Sequence, residues 1–126
     1  MRASAAVVAC ALLTVLALFQ LALALGAPWG RFAWGGQHEG TLPTGLRAGS
    51  ALSIVLYALI SLVLLDRSGL VDVLPDAITH PGTWVLFGYF MLGMALNVIS
   101  RSRDERLVMT PLALALAICA LLVALR

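Results

Sequence analysis

A chain of 126 residues with 62% hydrophobic and 11% charged residues, mean hydropathy +1.03 and a formal net charge of +2 lies outside the range of soluble globular domains. It is too apolar for a water-solvated surface and too weakly charged for a nucleic-acid partner. The two cysteines, Cys10 and Cys119, are single and far apart in the chain, with no CxxC pair for redox chemistry.

A helix crosses about 30 Å of hydrocarbon with about 20 apolar residues. Four runs of this kind are present, at 5–25, 45–65, 83–100 and 107–125. The fold class expected is therefore all-α, a single compact bundle of four transmembrane helices over 1–126. The first run follows Arg2 and ends near Ala24 and Gly26, like a secretory leader, but it is longer than the usual leader core and Pro28 sits where cleavage would occur, so it is read as a retained span.

After the first span, residues 26–47 (GAPWGRFAWGGQHEGTLPTGLR) hold two of the three tryptophans and one of the two histidines. Trp29, Phe32 and Trp34 are residue types that settle at the headgroup level. Gly30, Gly35, Gly36 and Gly40 allow tight turns, so the segment is expected to fold back on the membrane face. Arg47 opens the second span, where the helix dipole disfavours a cation. The expectation is that Glu39 pairs with it or that a lipid phosphate or other anion binds there.

In the second span Ser50, Ser53, Tyr57 and Ser61 share one stripe. Pro75 and Pro81 frame the third, where Tyr89, Gly93, Asn97 and Ser100 do the same. The fourth carries a seam of Thr110, Ala113, Ala117, Ala120 and Ala124, with Pro111 in its first turns and Thr110 placed to absorb a kink. The first offers Ala6, Cys10, Ala17 and Ala24 beside Gln20. Small residues let membrane helices approach, and hydroxyls and amides bond across them.

No Asp, Glu, Lys or Arg lies in the middle of these runs, which speaks against proton-coupled transport. Small multidrug resistance transporters share the layout, yet they depend on an acidic residue in the first helix, where this chain has Gln20. His38 and His80 are both read as loop residues without a second ligand at metal spacing, so no metal or other cofactor is expected. An enzyme would have only His38 or Glu39 as acid or base, and the reading leans against one.

Together GAPWG, WGGQH, Leu42-Pro43, Arg47 and the stretch from Asn97 to Arg106 resemble a family of small bacterial four-span membrane proteins. The resemblance implies the architecture, a multi-pass place in a bacterial cytoplasmic membrane, and the positions that matter; it implies no chemistry. The candidate ligand or lipid site is Arg31, Trp34, His38, Glu39, Arg47, Ser50, Asn97 and Arg101. The expected partners are membrane lipids, with a protein partner or a second copy of the chain in view and no nucleic acid. The function expected is a non-enzymatic accessory, regulatory or lipid-interacting membrane protein, the alternative being a small oligomeric channel or carrier for a neutral or anionic solute. Arginine counts on the two sides, five in the first and third loops against three opposite, place both termini outside.

Overall fold

The computed structural model describes residues 2–38, 40–100 and 102–125. Four helices, α1 (Arg2–Ala24), α2 (Thr44–Ser68), α3 (Asp76–Val98) and α4 (Arg103–Ala124), form an all-α bundle, and no strand occurs among the described residues. Each is long and apolar enough to cross a membrane. Large apolar side chains such as Val15, Leu18, Leu52, Val85 and Leu92 stand exposed around the outside, as a surface facing acyl chains requires and one facing water does not.

Helix ends follow local chemistry. Gly26 turns α1 off at φ +102°, with Gly26 N–H donating to Leu23 O and Ala27 N–H to Ala22 O, the paired bonds of a Schellman stop. Gly69 at φ +91° ends α2 in the same way, its own N–H reaching Asp66 O while Leu70 N–H reaches Leu65 O. The Asp66 carboxylate then accepts from the Val73 and Leu74 amides at 2.7 Å each and holds the short second loop.

Two boundaries differ from the expected spans. α3 begins at Asp76, seven residues before the apolar run, so Pro81 lies inside the helix and His80 is helical rather than in a loop. A polar first turn is invisible to hydropathy, but Pro75 at the N-cap and Asp76 at the positive end of the dipole suit a helix start. α4 likewise starts four residues early, at Arg103. This puts Pro111 two turns in, and Thr110 Oγ1 is buried without a hydrogen bond, so the threonine does not absorb the proline's effect.

α1 packs chiefly on α2, and α3 on α4; α1 and α4 also meet, while α2 and α3 touch less. The small-residue seams explain the tight part. Ala5, Ala6 and Ala9 of α1 cluster with Ala117, Ala120 and Val123 of α4, and Leu13, Leu16, Ile60, Leu64 and Phe90 complete the core. These residues lie mostly toward the chain termini. In the other half of the bundle, toward the first and third loops, Phe19, Gln20, Tyr57, Met109 and Leu112 replace the alanines, and the helices leave a space between them.

An interhelical cavity closed by the first loop

That space is a cavity of about 640 Å³, within the roughly 300–1,000 Å³ typical of small-molecule sites. Its floor is Leu16, Phe90, Ala113 and Leu116, all buried. Its rim is Trp34, Tyr89, Leu92, Leu96 and Ile99, all exposed, so the cavity opens sideways along α3. In a bilayer that side faces lipid.

The first loop closes the end nearest the membrane face. Two short 3-10 turns, Gly30–Phe32 and Trp34–Gly36, carry Phe32, Ala33, Trp34 and Gly35 into the lining. The loop is tied at several points. Gly30 N–H donates to Gly40 O at 2.9 Å, and a Cβ at Gly30 would collide with the His38 and Gly40 carbonyls. Gly36, at φ +71°, lies so close to Ser102 that a Cβ there would meet the Ser102 backbone nitrogen at 2.7 Å. Phe19 of α1 stacks on Trp29 and meets Phe32 edge-on. Leu23, Ala33 and Leu42 bury a small apolar cluster beneath the loop. The segment is therefore folded tightly against the bundle, and Trp34 turns inward. Its indole Nε1–H donates to Ser50 Oγ at 3.2 Å, and its ring sits over Gly49, where a Cβ would come within 2.9 Å of it.

The predicted site residues divide accordingly. Trp34 and Asn97 line the cavity, and Ser50 anchors Trp34 from behind. Asn97 has the partner its burial demands, donating from Nδ2 to Met109 O at 3.3 Å. Arg31 stays outside the cavity, pairing through Nε with the Asp104 carboxylate at 3.0 Å while its guanidinium lies 4.8 Å from the Phe32 ring centre. Both partners are about half exposed, so the pair contributes little to stability. His38 is half-buried in the loop and is not part of the lining. Glu39 and Arg101 lie outside the described residues. Among the described residues no group of three His, Cys, Asp or Glu side chains could hold a metal ion.

Arg47 has a partner in α1 that the sequence did not indicate. Its Nε–H donates to Ala24 O at 3.0 Å, and its guanidinium packs beside Gly26. Arg47 sits at the wrong end of its own helix but at the right end of α1, whose C-terminal carbonyls and negative dipole end it caps. Tertiary contact thus gives the Arg47 cation a negative dipole end, while the expected pairing with Glu39 lies outside the described residues.

The residue that sequence reasoning missed is Glu105. It is 3% exposed and lines the cavity. Ser102-x-x-Glu105 has the spacing of a capping box, and half of that box forms: Ser102 Oγ accepts from Glu105 N–H at 3.3 Å. The reciprocal half does not, because Ser102 N–H is taken by Ser100 Oγ at 3.2 Å. The Glu105 carboxylate is thereby released from capping duty, and no hydrogen bond or ion pair reaches it among the described residues. The capping-box spacing was visible in the sequence, but with the span placed at 107 Glu105 fell in a loop.

Two polar groups sit deeper in the cavity. Gln20 Nε2–H donates to the Tyr57 hydroxyl at 3.4 Å, and Gln20 Oε1 is buried without a partner. The stripes foreseen on α2 and α3 thus both reach the cavity, through Ser53 and Tyr57 on one side and Tyr89, Gly93, Asn97 and Ser100 on the other. Comparison with protein-family models, with curated proteins and with solved structures finds no match to this chain.

Proposed function

We propose that this chain is a non-enzymatic, lipid-interacting protein of a bacterial cytoplasmic membrane, which takes a membrane amphiphile into the cavity between its four helices. The observation that carries this reading is the cavity's form. It opens sideways along α3, where acyl chains lie, has an apolar floor, and gathers Asn97, Ser100 and Glu105 at the end covered by the first loop. An amphiphile has the matching distribution. The motif resemblance to small bacterial four-span proteins supports the assignment to that membrane, and an accessory or regulatory role toward a protein partner would be exerted through the occupied or empty state of the cavity.

The carrier alternative uses the same space. Its weakness for an anionic solute is Glu105, which puts a carboxylate on the wall. A headgroup enzyme is weaker still, since His38 does not line the cavity.

Gly93 provides the test. It lines the cavity, and a Cβ there meets nothing within 4 Å, so a larger side chain enters the space without displacing a neighbour. Native mass spectrometry of protein extracted in a mild detergent is expected to show one retained amphiphile on the wild type and none on Gly93→Leu. Equal retention by both proteins overturns the reading, and solute flux through liposomes that Gly93→Leu abolishes replaces it with the carrier.

A further inference from the structure

Resting on the proposed amphiphile site, we infer that the cavity selects an amphiphile with a primary ammonium head, held by the Glu105 carboxylate. A buried carboxylate without a partner is costly, and proteins satisfy one with a cation or with hydrogen-bond donors. Glu105 is 3% exposed, lines the cavity, and receives no such bond among the described residues. The described cations on this face are engaged or turned away. Arg31 pairs with Asp104, Arg47 caps α1, Arg106 donates from Nη1 to Ser100 O at 2.7 Å, and Arg103 is exposed. The helix start itself favours negative charge at this position, so the carboxylate is held where it is by α4 and complemented by whatever occupies the cavity.

The surroundings specify the kind of cation. About one helical turn deeper than Glu105, Asn97 spends its Nδ2 on Met109 O, which leaves Oδ1 as an acceptor. Gln20 has a further unpartnered oxygen. A wall of acceptors suits a head with several N–H donors, which a primary ammonium has and a quaternary one lacks. Along α4 the lining runs from Glu105 to Leu116, about 16 Å of helix, with aromatic walls from Phe19, Tyr57, Tyr89 and Phe90 for the apolar tail. The same chemistry belongs to two sources, a free lipophilic amine and the headgroup of an aminophospholipid.

The experiment uses the full chain in nanodiscs of phosphatidylcholine, whose head has no N–H donor, with Trp29→Phe and Trp84→Phe so that fluorescence reports Trp34 on the cavity rim. Dodecylamine, dodecyltrimethylammonium and dodecanol are titrated in turn. Dodecylamine is expected to saturate at a concentration about 10- to 100-fold below the other two, the range of a buried hydrogen bond to a charged group. Glu105→Gln is expected to abolish that preference while leaving dodecanol binding intact, which shows the cavity still formed. Asp104→Asn, a change in the neighbouring exposed carboxylate, is expected to keep the preference.

If all three probes bind alike to the wild type, or Glu105→Gln leaves the preference in place, ammonium selection is overturned and the amphiphile cavity stands. If none binds saturably, both fall. Replacing phosphatidylcholine by phosphatidylethanolamine then separates the sources: competition with dodecylamine in the wild type identifies the lipid headgroup as occupant, and undiminished dodecylamine affinity identifies a free amine.

Discussion

The seating of the first loop on α4 is testable through four glycines that differ in two independent ways. Gly36 has both φ +71° and no room for a Cβ beside Ser102. Gly35 has φ +74° and open space; Gly30 has no room and a φ outside the left-handed region; Gly40 has neither constraint. An L-residue held in the left-handed region costs about 1–2 kcal/mol, and forcing a methyl into a packed site costs about 1–3 kcal/mol. Gly40→Ala is therefore expected to change stability by under about 0.5 kcal/mol, Gly35→Ala by about 1–2, Gly30→Ala by about 1–3 and Gly36→Ala by about 2–5 kcal/mol. Gly36→Ala also pushes on the Ser102 backbone, so it lifts the loop from the helix start and raises the exposure of Trp34, already 40% in the wild type. Equilibrium unfolding in mixed micelles followed by tryptophan fluorescence measures the first effect, and acrylamide quenching of Trp34 in the Trp29→Phe, Trp84→Phe background measures the second. If Gly36→Ala is no worse than Gly35→Ala and quenching of Trp34 is unchanged, the loop does not rest on Ser102, and the description of it as closing the end of the cavity is wrong.

Replacing Arg47 by Gln is expected to destabilise by about 1 kcal/mol through loss of the cap on Ala24 O, whereas Arg31→Gln, which loses only an exposed ion pair, is expected to cost less than about 1 kcal/mol and to lose that effect at high salt; denaturant titrations of both variants at two ionic strengths check this. Ser102→Ala removes the one side-chain cap of α4 and is expected to cost about 1 kcal/mol, read in the same assay. Asp66→Ala removes the acceptor of the Val73 and Leu74 amides, two hydrogen bonds to a charged group that hold the second loop, and is expected to cost about 1–3 kcal/mol, with faster amide exchange confined to that loop. With Cys10 and Cys119 replaced by alanine, cysteine at Asp72 in the second loop should react with an impermeant reagent added to intact cells and cysteine at Gln37 in the first loop should not, since arginine bias places the termini and the second loop outside; labelling of Gln37→Cys alone inverts that side assignment.

Four helices, their number and their approximate limits follow from the sequence alone, because crossing a bilayer demands a length and an apolarity that no other segment of this chain could meet. The stripes of Ser53 with Tyr57 and of Tyr89, Gly93, Asn97 and Ser100 were equally legible, since residues three or four apart must share a helix face whatever that face touches. The Gly- and Trp-rich first loop announced a folded segment through its composition. Tertiary structure decided what each face met. It placed Arg47 against the end of α1, because helix termini distant in sequence are adjacent in a bundle. It turned Trp34 inward onto Ser50, and it continued α3 and α4 into polar first turns that hydropathy assigns to loops, which carried His80 into a helix and Glu105 into the cavity wall. A carboxylate's meaning depends on whether a partner lies within about 3 Å, and distances of that kind are set by how helices pack, not by the order in which their residues are joined.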